Sequence, residues 1–149
     1  ARAERDGAED IECKLLNPMR EKEALEELTG QCDLVLIDAP CSGSGTWRRN
    51  PETRWRLDQR DLQRLVSEQA RLLDLASGLV KADGHLIYAV CSLFACEGRE
   101  QVEAFLSRHP DFEADMPEFA AGRAEGAGIL LTPSHDGSDG FYLARLHKL

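Results

Sequence analysis

Two cysteines and one aspartate follow apolar segments of the sequence, at positions where a parallel sheet binds its ligands. Asp38 and Cys41 lie in the segment Asp-Ala-Pro-Cys-Ser-Gly-Ser-Gly at residues 38–45, and Cys91 follows the apolar residues 86–90. Open α/β sheets bind ligands beyond the carboxyl ends of their strands. If the two strands are neighbours, roughly 4.8 Å apart, both thiols and the carboxylate converge on one rim of the sheet. Because a thiolate is a strong nucleophile, this rim is the candidate site for covalent chemistry.

Each of these residue types also has a purely structural interpretation. Free cysteine is among the most frequently buried residue types, and an aspartate before a proline-containing loop commonly caps a turn. Cys13, Cys32 and Cys96 keep the structural interpretation, because no chemical motif surrounds them. Ser42 and Ser44 show no histidine partner that would indicate a hydrolase.

The elements that must position the site alternate between strand and helix, which is typical of α/β proteins. We predict a strand at residues 33–38, a helix from 58 to about 81, a strand at 85–91, a helix from about 97 to 108 and a last strand at 140–146. The first helix is indicated by an apolar stripe of 3.6-residue period, interrupted by the polar Gln69, and by Asp58 as its N-cap. The first strand is a nearly continuous apolar run, as expected for a strand buried on both faces of a sheet.

The flanking segments are less regular. Residues 11–16 are a further strand candidate, followed by a short helix with Asn17 as N-cap, Pro18 at its first position and Gly30 beyond its end. Residues 120–128 are rich in alanine and glycine, so we expect a loop there.

Composition excludes several classes of protein. The chain has 149 residues, 42% hydrophobic and 30% charged, so one soluble domain is the default expectation. No apolar run approaches the roughly 20 residues that span a bilayer. The five cysteines include no Cys-x-x-Cys pair and no cluster with histidine, which argues against a disulfide framework and against structural zinc. We therefore expect a cytoplasmic protein without a metal.

A net charge of -9 excludes a protein whose whole surface binds nucleic acid, since phosphate binding depends on lysine and arginine. Any such contact must be local. One stretch is both basic and aromatic: Trp47, Arg48, Arg49, Arg54, Trp55, Arg56 and Arg60, with Glu52 and Asp58 among them. On the residues alone, this stretch could equally bind nucleic acid or form a solvated loop.

Four ordered blocks resemble the Nol1/Nop2/Sun (Fmu) family of RNA 5-methylcytosine methyltransferases, most closely its bacterial 16S rRNA branch. The blocks are residues 38–45, similar to D-A-P-C-S-G-[ST]-G; residues 48–55, similar to R-R-H-P-D-x-K-W; residues 86–93, similar to a Y-x-T-C-S block; and residues 139–145, similar to G-x-D-G-F-F-x-A-R. Glu97 falls in the helix expected after the third block. The resemblance extends from about Ile11 to the last residue.

The resemblance implies transfer of a methyl group from S-adenosylmethionine to carbon 5 of a cytosine in RNA, with rRNA as the expected partner. It assigns the nucleophile to Cys91 and assistance in releasing the covalent adduct to Cys41. It places Asp38 against the polar edge of the cytosine and beside the cofactor, with Pro40 stiffening the turn. An adenine-side cofactor residue would fall at Asn17. Contacts with RNA are expected from Arg48, Arg49, Arg54 and Trp55.

The fold implied by the resemblance is the C-terminal part of a class I, Rossmann-like methyltransferase sheet, mostly parallel with an antiparallel last strand. Residues 1–149 would then be the C-terminal part of a catalytic domain, whose Gly-rich cofactor loop is not visible before Ile11. The strand at residues 11–16 lacks its usual neighbours, so we expect it to be frayed, re-paired or covered by another chain. Gly43 and Gly45 would let the backbone approach the base or a phosphate closely.

Two alternatives stay open. A DNA cytosine-5 methyltransferase would use the cysteine after proline, Cys41, as its nucleophile, although the second cysteine at position 91 favours RNA. A non-catalytic RNA-binding or interaction module descended from such an enzyme fits the acidic net charge, whereas the presence of both Cys41 and Cys91 favours catalysis.

Overall fold

The structure is a computed structural model that describes residue 7 and residues 11–149. Its strands are β1 (Cys32–Asp38), β2 (Val80–Val90), β3 (Phe112–Ala114), β4 (Arg123–Glu125), β5 (Gly128–Leu131) and β6 (Phe141–Lys148). Its α-helices are α1 (Glu21–Ala24), α2 (Gln59–Ser77), α3 (Arg99–Arg108) and α4 (Pro133–Asp136). Short 3-10 turns occupy Glu26–Leu28, Ser44–Thr46 and Pro51–Trp55.

The strands form one open sheet in the order β1-β2-β6-β5-β4, with β3 also paired to β6. β1 and β2 are parallel, with Asp38 opposite Ala89, so the chain leaves both strands at the same edge. β6 runs antiparallel to β2. The predicted α/β class and the antiparallel last strand are confirmed. Antiparallel pairing is more extensive than predicted, because β3, β4 and β5 also join the sheet through antiparallel pairs.

Helix α2 begins where the sequence predicts. The carboxylate of Asp58 accepts a hydrogen bond from the Asp61 amide at 2.7 Å, which satisfies a free N–H group of the first turn. The helix ends earlier than predicted, because the chain turns at Gly78 and enters β2 at Val80. No helix among the described residues is both long and apolar enough to cross a membrane.

The core lies between the sheet and the two long helices. From α3 it receives Val102 and Phe105, which are fully buried as the sequence predicts. From α2 and the sheet it receives Leu73, Ala76, Leu86, Tyr88, Val90, Ala144 and Leu146. Burial of this apolar surface stabilises the sheet and fixes the ends of β1 and β2, from which the candidate site is built.

The opposite face of β1 is open to solvent in the part of the chain that the structure describes. Leu34 is 53% exposed and Leu36 is 62% exposed. β1 is also the end strand of the described sheet and pairs on one side only. The prediction that this strand is buried on both faces is therefore wrong for the described residues.

Three further predictions need correction. Residues 11–16 form no strand and are exposed, because no neighbouring strand among the described residues is available to pair with them. Asn17 does not cap a helix, since α1 begins only at Glu21. The alanine- and glycine-rich residues 120–128 include β4, which pairs with β5. β4 is only three residues long and carries Arg123 and Glu125, so it has no apolar periodicity by which the sequence could reveal it.

Candidate active site

Cys41 and Cys91 lie in contact at the carboxyl-end edge of the sheet. Their sulfur atoms are 3.4 Å apart, and both side chains are half-buried. The contact follows from the parallel pairing of β1 and β2, since each cysteine stands just beyond the end of its strand. The structure thus brings together the two thiols that the sequence assigns to one rim.

The thiol pair ionises at Cys91. A hydrogen bond from Cys41 lowers the pKa of Cys91 from 9.0 to about 7, although burial and the negative charges of Asp38 and Glu97 oppose the shift. The same hydrogen bond, together with burial, raises the pKa of Cys41 far above its usual range. Near neutral pH the pair therefore holds a thiolate on Cys91, and the thiolate is the nucleophilic form of cysteine.

A fully buried carboxylate, that of Glu97, joins the two loops that carry the cysteines. It accepts hydrogen bonds from the Ser42 amide at 2.8 Å and from the Ser42 hydroxyl at 2.5 Å. The Ser92 hydroxyl donates to the same carboxylate at 2.6 Å. Ser42 follows Cys41 and Ser92 follows Cys91, so one side chain connects the positions next to both thiols.

Gln69 accounts for the polar interruption in the apolar stripe of α2. It is fully buried, and its amide nitrogen donates to the Pro40 carbonyl at 2.9 Å and to the Glu97 carboxylate at 3.0 Å. α2 is thereby connected to the loop that carries Cys41. The sequence argument missed the roles of Gln69 and Glu97, although a polar residue inside an apolar stripe is a signal that marks the first of them.

A chain of backbone hydrogen bonds joins the end of β2 to the segment before β6. The Gly45 amide donates to the Cys91 carbonyl at 3.1 Å, and the Gly140 amide donates to the Gly45 carbonyl at 2.9 Å. A Cβ atom on Gly45 would lie 2.0 Å from the Gly140 carbonyl oxygen. Gly45 is therefore required to be glycine by the protein itself, because the atoms that a side chain would meet belong to the backbone of Gly140.

Asp139, next to Gly140, binds two arginines of the basic and aromatic stretch at residues 47–60, called the basic segment below. Arg49 donates to its carboxylate at 2.6 Å, and the Arg48 guanidinium lies 3.9 Å away. The hydrogen bond from Arg49 lowers the pKa of Asp139. The pKa of Arg49 is raised, mainly by Asp139 and in smaller part by Cys91. Arg49 therefore has an internal partner within electrostatic reach of the nucleophilic sulfur, and any contact it makes with RNA must compete with Asp139.

The rest of the basic segment presents its aromatic and cationic groups to solvent. The Trp55 side chain is 81% exposed, and the Arg54 guanidinium lies 5.2 Å from the centre of its ring. Trp47 packs edge-on against Phe94 of the loop after β2, with ring centres 5.8 Å apart. Trp47 thus anchors the segment close to Cys91, while Arg54 and Trp55 remain accessible.

The remaining predicted site residues lie in different places. Asp38 and Pro40 are exposed beside the thiol pair, at and just after the end of β1. Asn17 is exposed and lines a cavity next to α1 that contains none of the rim residues. The structure therefore does not bring Asn17 together with the thiol pair in the part of the chain that it describes. Within the same part, no group of three or more histidine, cysteine or acidic side chains is arranged to hold a metal ion.

The fold and the site place the chain in the class of Rossmann-like methyltransferases. The crystal structure of PH0851 superposes on 98% of this chain and 33% of that protein, with a TM-score of 0.88 and 31% identity. NSun6 from Pyrococcus horikoshii, solved with SFG, shares the fold, with a TM-score of 0.77 and 17% identity over 98% of this chain and 36% of that one.

The sequence narrows this class to one family. Residues 4–147 match the family described as 16S rRNA methyltransferase RsmB/F, and the chain belongs to that family. The ribosomal RNA small subunit methyltransferase B of Thermus thermophilus is 43% identical over 117 residues, which are 77% of this chain and 29% of that protein. The chain thus spans less than a third of the length of this relative. The family resemblance identified in the sequence is confirmed.

Proposed function

We propose that this chain carries the nucleophile of an S-adenosylmethionine-dependent methyltransferase acting on carbon 5 of a cytosine in rRNA. The observation that carries the proposal is the contact between Cys41 and Cys91, which holds a thiolate on Cys91 near neutral pH. rRNA as the substrate class follows from the family to which the chain belongs.

Carbon 5 of cytosine is a weak nucleophile, so the ring must first be activated. The Cys91 thiolate adds to carbon 6, forming a carbon–sulfur bond and moving electron density to carbon 5. Carbon 5 then takes the methyl group from the sulfonium of S-adenosylmethionine, which leaves as S-adenosylhomocysteine. Transfer of the carbon 5 proton to solvent water and breakage of the carbon–sulfur bond then restore the aromatic ring and return the thiolate to Cys91.

The neighbouring side chains have separate tasks in this proposal. Cys41 assists release of the product, because the hydrogen bond it donates stabilises Cys91 as a leaving thiolate. The Asp38 carboxylate accepts a hydrogen bond at the polar edge of the cytosine near ring nitrogen 3, where protonation of the ring offsets the negative charge that develops as the thiolate adds. An exposed carboxylate at the rim also suits a cationic sulfonium, since opposite charges attract at short range. Pro40 stiffens the turn between these two residues.

The RNA backbone is bound by the basic segment. Arg48, Arg54 and Trp55 are exposed, and arginine and exposed tryptophan are suited to phosphates and to unstacked bases. The contact of Trp47 with Phe94 connects this segment to the loop after Cys91. Arg49 takes part by exchanging Asp139 for a phosphate. Asn17, on a different surface, keeps only the cofactor role that the resemblance implies.

The proposed function also implies that the chain is part of a larger catalytic domain and that it works in a reducing compartment. Residues 1–149 are the C-terminal part of a catalytic domain, and the exposed Leu34 and Leu36 on the end strand support this, because open apolar edges of a sheet are normally covered. The cytoplasm is the expected compartment, because the chemistry needs Cys41 and Cys91 as free thiols.

The test is covalent trapping on 16S rRNA that contains 5-fluorocytidine, with S-adenosylmethionine and the full-length protein. Fluorine replaces the proton that must leave carbon 5, so the protein–RNA adduct accumulates. We expect the adduct in the wild type and in Cys41→Ala, and its loss in Cys91→Ala. Cys96→Ala, which changes another half-buried thiol, is the control and should retain the adduct.

Each alternative has its own outcome. An adduct that persists in Cys91→Ala but disappears in Cys41→Ala would assign the nucleophile to Cys41, as in DNA cytosine-5 methyltransferases. RNA binding without any adduct or methyl transfer in the wild type would identify a non-catalytic RNA-binding module.

A further inference from the structure

We infer that Glu97 is a positioning residue of this site, whose carboxylate sets the contact between the Cys41 and Cys91 sulfur atoms. The inference rests on the proposed function, because the spacing of the two thiols matters for catalysis only if Cys91 is the nucleophile. It concerns a residue that does not touch the substrate.

The hydrogen-bonding capacity of the Glu97 carboxylate is fully used inside the protein. The side chain is completely buried and accepts from the Ser42 amide, the Ser42 hydroxyl, the Ser92 hydroxyl and the Gln69 amide nitrogen, at 2.8, 2.5, 2.6 and 3.0 Å. A carboxylate offers about four acceptor positions. None is left for a base or cofactor, so Glu97 acts on the reaction only through the groups it holds.

The carboxylate itself is held by rigid structure. The backbone amide of Glu97 donates to the Phe94 carbonyl at 3.0 Å, and the hydroxyl of the fully buried Tyr88 donates to the Glu97 carbonyl at 2.6 Å. Tyr88 belongs to β2, which pairs with a strand on each side. Glu97 therefore transmits the position of that strand to the loop after β1 and sets the distance between the two loops.

The charge of Glu97 does not explain its presence. A negative charge near a thiol disfavours the thiolate, and Glu97 opposes the lowering of the Cys91 pKa. A carboxylate buried beside a thiolate is electrostatically unfavourable unless its hydrogen bonds offset the cost. Here those hydrogen bonds fix the geometry of the site. The hydroxyls of Ser42 and Ser92 donate to the same oxygen atom of Glu97, and the two hydroxyl oxygens lie 3.4 Å apart, next to the two cysteines.

Two conservative variants distinguish the effect of the length of the Glu97 side chain from the effect of its charge. Glu97→Asp keeps the charge but is one methylene shorter, so it cannot bridge both loops. Glu97→Gln loses the charge but keeps the length: its carbonyl can accept from the Ser42 amide, and its NH2 group can donate to the two serine hydroxyls, which rotate to accept. Positioning predicts that Glu97→Asp is the damaging change, whereas a role for charge predicts the opposite order.

The readout is the pH profile of Cys91 alkylation by iodoacetamide, followed by mass spectrometry of the peptide in the full-length protein. We expect Glu97→Asp to move the midpoint upward from about 7, with a fall in rate at pH 7 of about tenfold. Glu97→Gln should keep the midpoint at or below the wild-type value. Glu100→Asp, on the exposed first turn of α3, is the matched control and should leave the profile unchanged.

An unmoved midpoint in a folded Glu97→Asp protein, or a larger upward shift in Glu97→Gln, would overturn the inference. If circular dichroism shows that Glu97→Asp does not fold, the double variant S42A/S92A decides, because it removes both hydroxyl links and retains the carboxylate. Its midpoint should also rise, and an unchanged midpoint would reject positioning.

Methyl transfer by the same proteins keeps this test distinct from that of the proposed function. An upward shift in Glu97→Asp combined with full methyl transfer by Cys91→Ala would retain the positioning of the thiols and reject the proposed nucleophile. If methyl transfer requires Cys91 but the midpoint does not shift in Glu97→Asp, the proposed nucleophile is retained and the positioning role of Glu97 is rejected.

Discussion

At the level of single residues, the reactivity of Cys91 depends on another thiol. Reactive cysteines commonly owe a low pKa to a nearby cation or to a helix N-terminus. Here the nearby cation Arg49 is bound to Asp139, while the charges of Asp38 and Glu97 act against ionisation. The hydrogen bond from Cys41 is the largest contribution that lowers the pKa of Cys91, so one contact controls the ionisation of Cys91.

Removing the donor at position 41 should therefore raise the pKa of Cys91. Because the pKa in the folded protein is lowered to about 7, the thiolate is present above that pH and is lost as the pH falls through it. In Cys41→Ala the alkylation midpoint should rise toward the ordinary 9.0, whereas Cys41→Ser keeps a hydroxyl donor and should raise it less. The measurement is peptide-resolved alkylation between pH 5 and 10.

Cys96 provides an internal control in the same digest. Burial raises its pKa, so it should react little at pH 7. A wild-type Cys91 midpoint equal to that of Cys96 would contradict the role assigned to the thiol pair.

The sequence could predict the reactive residues but not those that support them. Asp38, Cys41 and Cys91 stand at strand ends within recognisable blocks, so pattern alone locates them. Glu97 and Gln69 acquire their partners from distant parts of the chain, through the packing of α2 against the loop after β1. Such a buried polar network follows from tertiary contacts, which a single sequence does not reveal.

At the level of elements, Gly45 couples three segments of the site. Its backbone bonds to Cys91 after β2 and to Gly140 before β6. The close approach leaves no space for a side chain, because even a Cβ atom would overlap the Gly140 carbonyl. The position of the loop between Cys41 and the basic segment thus depends on β6, the strand that follows Gly140.

Gly45→Ala should destabilise the protein. Overpacking against backbone typically costs about 1–3 kcal/mol, and we expect the upper end of that range, because a backbone carbonyl cannot rotate away as a side chain can. Urea unfolding followed by circular dichroism measures the free energy change, and 5-fluorocytidine trapping should show less adduct.

Gly78→Ala is the matched control. Gly78 has a helical φ of -69°, and a Cβ atom there would lie at an ordinary 3.5 Å from the Leu75 carbonyl oxygen. Its effect should be less than about 1 kcal/mol and in the stabilising direction. Equal effects of the two substitutions would mean that the approach of Gly45 to Gly140 is not what requires glycine.

The helices and the strands could be predicted from different features of the sequence. α2 and α3 carry apolar periodicity, and α2 also carries a capping aspartate, so both were predictable. β1, β2 and β6 are apolar enough to be recognised, although the start of β2 was misplaced because the chain turns back at Gly78. Residues 11–16 have strand-like composition but no partner among the described strands, and a strand exists only when it is paired.

At the level of the whole molecule, charge is unevenly distributed. A net charge of -9 repels RNA at long range, so the RNA binding that we propose requires a local basic surface, for which the segment around Arg54 and Trp55 is the candidate. In the proposed function, such a surface favours approach of RNA in one orientation.

Arg54→Ala should weaken binding of the full-length protein to 16S rRNA fragments and reduce its salt dependence. Loss of one phosphate contact lowers the slope of log K against log salt by about 0.7–0.9. Fluorescence anisotropy titrations between 50 and 300 mM KCl measure that slope. Arg64→Ala removes another exposed arginine, which lies in α2 outside the basic segment, and should leave the slope unchanged. An equal reduction in both variants would mean that the segment is not a specific RNA contact.

The position of β6 in the sheet has a consequence for the order in which the protein is assembled. β6 is the last described strand to leave the ribosome, yet it lies between β2 and β5 and also pairs with β3. A nascent chain that has already exposed both cysteines therefore lacks the strand that closes its sheet, and Gly140 is not yet available to hold the loop beside Cys91. The candidate site is completed only after translation of β6, so a polypeptide truncated before β6 would contain Cys41 and Cys91 without a formed site.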